Sequence, residues 1–279
     1  DILVLEGVNS ADACREAAAD GLTLAVNSRE QVELALASKT PVWIKVDTGM
    51  HRLGIEPSEL ADAVAQLRKA SVPVEAVCTH LARADDLDDA ATRQQLDAFR
   101  ACAEACGLPR SIANSAGILG WPDSHADWNR PGIMLYGASP FATEVAAASG
   151  LRPAMTFEAE VIALRDVPEG DSVGYGGRWT AARPSKIATL AAGYADGYPR
   201  HAPDGSPIFV NGHIAPIAGT VSMDMITIDV TDHPEVAIGD LAELWGQNVC
   251  VNDVAKRAGT ISYELLTRVS PRDPRRHTR

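Results

Sequence analysis

Two hydrophobic patterns divide the chain. Up to about residue 150, short apolar runs rich in β-branched residues alternate with Ala-rich stretches of helical periodicity, which is typical of successive βα units that build a parallel sheet. The predicted strands are Ile2–Leu5, Leu22–Val26, Val42–Val46, Val74–Thr79, Ser111–Asn114 and Ile133–Tyr136. The predicted helices are Ala11–Ala19, Glu30–Ala37, Glu59–Lys69 and Thr92–Ala105, with N-caps at Ser10, Ser28 and Ser58.

Beyond Gly150 the apolar runs are broken by Gly, Pro and Asn instead of by helical stretches. The runs are Phe157–Leu164, Ile187–Ala191, Ile208–Val210, Met225–Val230 and Leu241–Trp245. Asn211-Gly212 is a two-residue hairpin signal, because both residue types tolerate positive φ. We therefore predict an α/β domain over residues 1–150 and an antiparallel β domain over residues 151–279, with the boundary near Gly150 and Pro153.

Composition argues against nucleic-acid, membrane and metal partners. With 46% hydrophobic residues and a net charge of −12, we expect a folded chain that repels nucleic-acid phosphates. Apolar stretches such as Ile187–Ala192 are far shorter than the ~20 residues that span a bilayer, so no membrane partner is expected. Five irregularly spaced cysteines predict reduced thiols and a cytoplasmic protein. Cys102 and Cys106 share a helical face but lack further ligands nearby, so no metal site is predicted.

The sequence contains no Walker loop, no Gly-x-Ser-x-Gly elbow, no His-Glu-x-x-His helix and no dinucleotide fingerprint. Five other peptides stand out: residues 45–54 (KVDTGMHRLG), 113–116 (ANSA), 130–133 (RPGI), 193–198 (GYADGY) and 221–225 (VSMDM). In this order they resemble the alanine racemases, pyridoxal-phosphate enzymes that interconvert L- and D-alanine. The resemblance extends from the first strand to residues 261–265.

The resemblance implies a fold and the absence of an N-terminal part of it. It implies an α/β (β/α)₈ TIM-type barrel followed by a C-terminal antiparallel β domain, and with six predicted strands the barrel lacks its first two βα units. The family carries its cofactor lysine in a Lys-Ala-x-Ala-Tyr-Gly motif, which does not occur in these 279 residues. Lys39 lies in a predicted helix-to-strand turn and does not match that lysine. We therefore expect an N-terminal part to be missing and these residues to racemise alanine little or not at all.

The resemblance also implies a cofactor site for pyridoxal 5'-phosphate. Arg130 matches the arginine that hydrogen-bonds the pyridine nitrogen and keeps it unprotonated, since a guanidinium retains its own proton. The phosphate cup matches Ser115, Gly132, Ile133 and Tyr263, with Asn114 beside it. Arg52 matches an arginine that meets the substrate carboxylate or the cofactor's phenolic oxygen. Lys45 matches a lysine that can be carbamylated to support Arg52.

The remaining implied residues move protons and bind the substrate. Tyr175 matches the family's second catalytic base, and His80 matches the histidine that links the tyrosine's network to Arg130. Met223 matches a residue whose main-chain N–H contacts the substrate carboxylate, with Tyr194 and Asp224 lining the entrance. In the family, the counterparts of Tyr175, Tyr194, Met223 and Asp224 reach into the partner subunit's barrel, so a homodimer that shares its sites is expected. Without the resemblance, each of these side chains would be read as packing or surface charge.

Departures and alternatives remain. Residues 268–279 replace the family's usual Arg-Val-x-Arg-x-Tyr-like finish with a Pro- and Arg-rich tail, which we expect to be solvated and mobile. One alternative is a non-catalytic protein that binds pyridoxal phosphate or pairs with a full-length subunit. Another is a broad-specificity amino-acid racemase of the same fold. Arg130 argues against a related decarboxylase, because that family places an acidic residue at the pyridine nitrogen.

Overall fold

The structure is a computed structural model that describes residues 1–143, 148 and 150–277. It divides into two compact units, Asp1–Gly132 with Pro140–Gly150, and Ile133–Ser139 with Leu151–Arg279. Among the described residues, no helix combines the length and the apolar character needed to cross a bilayer.

The first unit is built on a parallel sheet, as the βα pattern predicts. Its strands are β1 (Leu3–Val4), β2 (Thr23–Val26), β3 (Val42–Lys45), β4 (Val74–Cys78) and β5 (Arg110–Ser111). They lie in the order β1-β2-β3-β4-β5, every pair parallel. The helices are α1 (Ala11–Ala19), α2 (Arg29–Ser38), α3 (Leu60–Lys69), α4 (Ala91–Ala103) and α5 (Ser115–Gly120).

The two faces of this sheet have different surroundings. Because side chains alternate along a strand, Ile44 packs into the large cluster shared with α2, α3 and α4. Its neighbour Trp43 joins a small cluster on the opposite face with Ala76 and Cys78. Lys45, the register partner of Cys78, follows on that same face. A lysine therefore stands beside buried apolar groups at the end of β3.

Helix caps follow the sequence at two of three predicted positions. The side chain of Ser10 accepts a hydrogen bond from the Ala13 N–H, and that of Ser28 accepts one from the Gln31 N–H. Ser58 is not a cap, because residues 57–59 form a 3-10 turn and α3 begins after Glu59. The turn begins at Pro57, whose fixed φ suits the first helical position.

Two predicted strands are corrected. The fifth, predicted over Ser111–Asn114, ends at Ser111, because Asn114 accepts a hydrogen bond from the Gly117 N–H and caps the short α5 instead. The sixth, predicted over Ile133–Tyr136, is a 3-10 turn. Gly137 closes that turn at φ 78°, with its N–H bonded to the carbonyl of Met134.

The second unit is an antiparallel β structure, as predicted. Its strands are β6 (Phe157–Val167), β7 (Ser172–Val173), β8 (Trp179–Thr180), β9 (Ser185–Leu190), β10 (Pro207–Val210), β11 (His213–Pro216), β12 (Ile226–Asp229) and β13 (Leu241–Trp245). Six of them form one sheet in the order β11-β10-β13-β6-β9-β12, and β7 pairs with β8. Two short helices follow, α6 (Val251–Arg257) and α7 (Ser262–Arg268).

Turn chemistry and packing explain the shape of this sheet. Asn211 and Gly212 adopt φ 48° and 86°, which confirms the predicted hairpin between β10 and β11. Just past β11, Ile217 bridges Ile228 of β12, so the two end strands of the sheet approach each other and the sheet is nearly closed. Buried side chains such as Trp245 fill its interior.

Candidate active site

Arg130 lies at the carboxyl ends of the strands in the first unit. Its Nη1 donates to the hydroxyl of Ser111 at 2.5 Å, and its Nη2 donates to the carbonyls of Thr79 at 2.6 Å and Ile112 at 3.1 Å. Within the described residues no carboxylate pairs with this guanidinium, and its hydrogen bonds come from the two terminal nitrogens. Burial lowers the pKa of Arg130, yet an arginine remains a cation at neutral pH. The site thus holds a fixed positive charge whose Nε–H can still meet a ligand.

His80 follows β4 and contacts this arginine. Its Nδ1 lies 3.5 Å from Nη2 of Arg130. Burial and, to a smaller extent, the positive charges of Arg130, Lys45 and Arg52 together lower the pKa of His80 to about 4. The imidazole is therefore neutral at pH 7, so Nδ1 can accept a hydrogen bond from Arg130.

Lys45 and the loop after β3 add positive charge to this site. Burial lowers the pKa of Lys45, and the charges of Arg52 and Arg130 add to this effect, against a raising influence of Cys78. Arg52 is exposed on the loop. The Asp47 side chain accepts the backbone N–H groups of residues 49–51 and so fixes the loop. The arrangement favours an anionic ligand.

Ser115 and Gly132 form the beginning of an anion cradle in the first unit. The Gly132 N–H donates to the buried Ser115 hydroxyl at 2.9 Å. A Cβ on Gly132 would lie 3.8 Å from that oxygen, and no other contact is nearer. Asn114 caps α5 directly before Ser115. The backbone is thus open to a ligand that approaches this hydroxyl.

The other two residues of the predicted phosphate cup belong to the second unit. Ile133 is buried and begins the 3-10 turn that follows Gly132. Tyr263 lies in the first turn of α7, with 44% of its surface exposed. The chain therefore passes from one unit to the other between the two neighbouring residues Gly132 and Ile133.

Tyr175 lies in the tight turn between β7 and β8. Gly174 and Gly176 adopt φ 75° and 72°, and the hydroxyl of Thr220 donates to the Tyr175 carbonyl at 3.2 Å. The backbone of this turn is thereby tied to the segment before β12. The Tyr175 side chain itself is 72% exposed, so its phenol is presented outward from a rigid base.

Tyr194 and Met223 lie on two segments that touch through their backbones. The Tyr194 N–H donates to the Ser222 carbonyl at 3.0 Å, and the Ala195 N–H donates to the Met223 carbonyl at 2.9 Å. A Cβ on Gly193 would lie 2.3 Å from the Ser222 oxygen, so this approach requires glycine. The structure thus brings together Tyr194 and Met223, as the predicted entrance requires.

Arg272 holds the third predicted entrance residue. One of its nitrogens donates to the Asp224 carboxylate at 2.6 Å, and Nε donates to the Asp196 carboxylate at 2.7 Å. Asp196 also accepts the Gly193 N–H at 2.7 Å, and its carbonyl accepts the Ser270 N–H. The expectation of a mobile tail is therefore wrong as far as Arg272, because this residue is bound through two carboxylates.

Sequence reasoning missed the partners of the site residues. Ser111 was assigned only to a strand, and Asp196 and Arg272 received no role. Each acts through a contact between segments distant in the sequence, such as the 76 residues that separate Asp196 from Arg272. The motifs at 193–198 and 221–225 each contain one aspartate, Asp196 and Asp224, and no basic residue. This is the one signal in the sequence that points to a cationic partner elsewhere in the chain.

Comparison with known proteins identifies the family. The profile described as "Alanine racemase, N-terminal domain" matches residues 1–140, and that described as "Alanine racemase, C-terminal domain" matches residues 154–277. Alanine racemase of Halorhodospira halophila is 47% identical over 277 residues, which cover 97% of this chain and 76% of that protein. The alanine racemase of Azoarcus sp. is 47% identical over 273 residues, covering 96% and 76%.

Comparison with solved structures points to the same family. Biosynthetic alanine racemase from Pseudomonas aeruginosa superposes with a TM-score of 0.93 at 46% identity, covering all of this chain and 79% of the other. Alanine racemase from Bartonella henselae with covalently bound pyridoxal phosphate gives a TM-score of 0.87 at 33% identity, covering 97% and 77%. A barrel-like α/β domain with a C-terminal antiparallel β domain, matched in both halves, shows that the chain belongs to the alanine racemase family of isomerases that act on amino acids.

Proposed function

We propose that these residues carry the cofactor site of an alanine racemase, an enzyme that interconverts L- and D-alanine, with pyridoxal phosphate held in the cradle of the first unit. The observation that carries the proposal is Arg130, a partly buried cation whose hydrogen bonds go to neutral acceptors at the strand ends. Withdrawing a charge from water without a carboxylate partner is costly unless a ligand or a hydrogen-bond network stabilises it. Arg130 would hold the pyridine nitrogen with a donor that does not give up its proton.

The residues of the cradle fit the phosphate group. Phosphate is bound in proteins by backbone N–H groups and hydroxyls. The Gly132 N–H and the Ser115 hydroxyl are groups of these two kinds, and a phosphate would replace the hydrogen bond that now joins them. Ile133 and Tyr263 complete the proposed set. Arg52, beside Lys45, would meet the substrate carboxylate or the phenolic oxygen, and a carbamate on Lys45 would place a negative charge next to Arg52.

Tyr175 would remove or return the α-hydrogen as a base. Pyridoxal phosphate, when bound, supplies the electron sink that makes the Cα–H bond of an amino acid acidic. A tyrosine of intrinsic pKa ~10 acts as a base at neutral pH only near positive charge. The cations Arg130, Arg52 and Lys45 would supply this field to the tyrosine of a partner subunit in the proposed shared site, and neutral His80 would link the tyrosine's network to Arg130. Met223 would donate its main-chain N–H to the substrate carboxylate, with Tyr194 and Asp224 at the entrance.

The second proton-transfer group must be an amine, and none of the five lysines in the sequence matches the family's cofactor lysine. Lys39 donates its Nζ–H to the carbonyl of Ala70 and lies at the C-terminus of α2. Lys45 is the lysine nearest the cations of the site. We therefore propose that these 279 residues bind the cofactor but exchange the α-hydrogen of alanine slowly or not at all.

The test combines cofactor trapping with hydrogen exchange. The chain is incubated with pyridoxal phosphate and reduced with borohydride, and peptide mass spectrometry locates any modified lysine. In parallel, NMR follows loss of the α-hydrogen signal of L-alanine in D₂O. We expect cofactor binding that Arg130→Ala abolishes, without rapid exchange. Rapid exchange together with modification of one lysine would overturn the proposed inactivity, and a wild-type chain that binds no cofactor would overturn the proposed site.

We also propose that the chain forms a homodimer that shares its active sites. The side chains of Tyr175 and Met223 are 72% and 54% exposed although their backbones are firmly held, and exposed apolar groups on a rigid base are typical of interfaces. Sedimentation velocity is expected to give a dimer, and Met223→Glu is expected to shift it toward monomer. A wild-type monomer at micromolar concentration would contradict the shared site but not cofactor binding.

Five free cysteines fit a reducing compartment such as the cytoplasm.

A further inference from the structure

The second unit carries a group of ligand-type side chains that the proposed active site does not use. His213, His233 and Glu235 each present one ligand atom, and these atoms lie within 4.8 Å of one another. The sequence predicts no metal site, since no metal-binding motif joins these residues. We propose that the three side chains bind one divalent transition-metal ion of the Zn²⁺ class.

The geometry already approaches that of a coordination site. Nε2 of His213 lies 3.5 Å from Oε1 of Glu235, and Nδ1 of His233 lies 3.9 Å from the same oxygen. In a tetrahedral zinc site with bonds near 2.1 Å, two ligand atoms are about 3.4 Å apart. The two imidazole rings are stacked, with centroids 4.5 Å apart and planes 15° apart. Because the lone pair of an imidazole nitrogen lies in the plane of its ring, the rings must turn out of this stacked arrangement for both nitrogens to face one ion beside Glu235.

The backbone holds the three ligands in place. His213 pairs with the buried Val210 directly after the Asn211-Gly212 turn. The His233 N–H donates to the Val230 carbonyl at 2.9 Å, and the Val236 N–H donates to the His233 carbonyl at 3.1 Å. Val230 and Val236 are buried and anchor this turn. A site whose backbone is ordered beforehand loses less entropy when the ion binds.

The type of ligand selects the type of ion. Imidazole nitrogens favour Zn²⁺, Cu²⁺ and Ni²⁺, whereas Mg²⁺ and Ca²⁺ favour all-oxygen sites. The side chains of His213 and Glu235 are 52% and 46% exposed, so an ion can enter directly from solvent and water can complete its coordination. Two histidines and one carboxylate are a ligand set found in zinc proteins.

The position of the cluster gives the ion a structural role. His213 begins β11, whereas His233 and Glu235 lie in the turn after β12. These are the two end strands of the six-stranded sheet, and in the described part of the chain the Ile217–Ile228 bridge joins them. A bound ion would connect the end strands a second time and hold the sheet closed.

The test uses the tag-free chain after chelator treatment and dialysis into metal-free buffer. Isothermal titration with ZnCl₂ is expected to give one ion per chain, and MgCl₂ is expected to give no binding. His213→Ala and Glu235→Gln should each weaken zinc binding at least about tenfold, as loss of a ligand does. The matched control His201→Ala alters another exposed histidine of the same unit and should leave binding unchanged.

A second measurement identifies the ligand atoms and the location. Long-range ¹H–¹⁵N NMR of the histidine rings should show zinc bound at Nε2 of His213 and Nδ1 of His233, and zinc should slow amide exchange at residues 213–217 and 228–236. The conservative Glu235→Gln exchange keeps the shape of the side chain, so it tests the site even if His213→Ala impairs folding. Absence of stoichiometric zinc binding, or equal binding by the His213→Ala/Glu235→Gln double variant, would overturn the proposal.

Discussion

The two units position their site residues in opposite ways. In the first unit, the side chains are withdrawn: Arg130 bonds to two carbonyls and a hydroxyl, and Ser115 is buried. In the second unit, the backbone is held and the side chains face outward, with Tyr175 72% and Met223 54% exposed. In the first unit, the proposed ligand-binding side chains are therefore held by hydrogen bonds within the fold, whereas in the second unit the backbone is held and the side chains are left accessible.

Because of this difference, substitutions in the two units should affect stability and function to different extents. Removing a buried donor leaves its acceptors unsatisfied and destabilises the fold, whereas removing an exposed side chain costs little. Substitutions in the first unit should therefore change both cofactor binding and folding. Substitutions of the outward side chains in the second unit should change function alone, except where the backbone contacts themselves are broken.

The largest effect is expected for Arg130→Ala. Loss of the guanidinium leaves the Ser111 hydroxyl and the Thr79 and Ile112 carbonyls without their donor, which should lower the free energy of unfolding by about 3–4 kcal/mol. Hydrogen exchange measured by mass spectrometry should rise across β4 and β5 and leave β9 to β12 unchanged. An equal rise of hydrogen exchange in both units would contradict the proposed difference between them.

Gly193→Ala should come next, and it tests the backbone contacts of the second unit. The new Cβ would lie 2.3 Å from the Ser222 oxygen and 2.4 Å from the Met223 oxygen, so the two segments must separate at a cost of about 2–3 kcal/mol. Urea unfolding measures the loss. Gly150→Ala, whose Cβ would meet no atom of the described residues within 4 Å, is the matched control; similar losses for both would contradict the close approach.

His80→Gln should reduce the sensitivity of the first unit to acid. Because the pKa of His80 is about 4 in the folded chain and about 6.5 in an unfolded one, the unfolded chain binds more protons between these values. Stability therefore falls as the pH is lowered from about 6.5 toward 4 and is retained above 6.5. Urea midpoints at several pH values should fall less steeply in the variant, by about 1–2 kcal/mol over this range. Parallel curves would contradict a neutral, partly buried His80.

Arg272→Ala should have a smaller effect, because about half of the arginine side chain is exposed. Its loss leaves the Asp196 carboxylate, which is 6% exposed, without this cation and should lower the free energy of unfolding by less than the substitutions above do. Hydrogen exchange should rise at residues 193–198 and 222–225. Arg276→Ala in the same tail is the control, and an equal effect of both would indicate that the tail contributes only general charge.

The smallest effect on stability is expected for Tyr175→Phe. The phenol is mostly exposed, and the hydrogen bond that fixes the turn uses the Tyr175 carbonyl, so the free energy of unfolding should change by less than about 0.5 kcal/mol. Any α-hydrogen exchange measured for the unchanged chain should decrease. A large loss of stability would show that the phenol is packed inside the fold. The two units would then no longer differ in how they hold their side chains.

The sequence predicted what depends on local pattern. The βα alternation, the antiparallel runs and the Asn211-Gly212 turn each follow from short-range rules, and the structure confirms them. The strand predicted over Ile133–Tyr136 failed because an apolar run does not distinguish a strand from a turn, and Gly137 closes that turn with a contact to Met134. Arg272 was missed because its carboxylate partners are 48 and 76 residues away in the chain.

The roles of individual site residues came from resemblance rather than pattern. Nothing in the spacing of Arg130 predicts that Ser111 and Thr79 would hold its guanidinium, since that depends on how β4 and β5 align. The cofactor, the base and the dimer therefore stay predictions, to be decided by the experiments above.

The contact between residues 193–195 and residues 222–223 consists of backbone hydrogen bonds and a glycine. Because no side chain of Tyr194 or Met223 is needed to maintain it, both positions are free to vary while the loops keep their course. If Tyr194 and Met223 line the entrance as proposed, exchange of these two side chains would change the choice of amino acid, by natural drift or by directed evolution, without moving the loops, provided that Gly193 is left untouched.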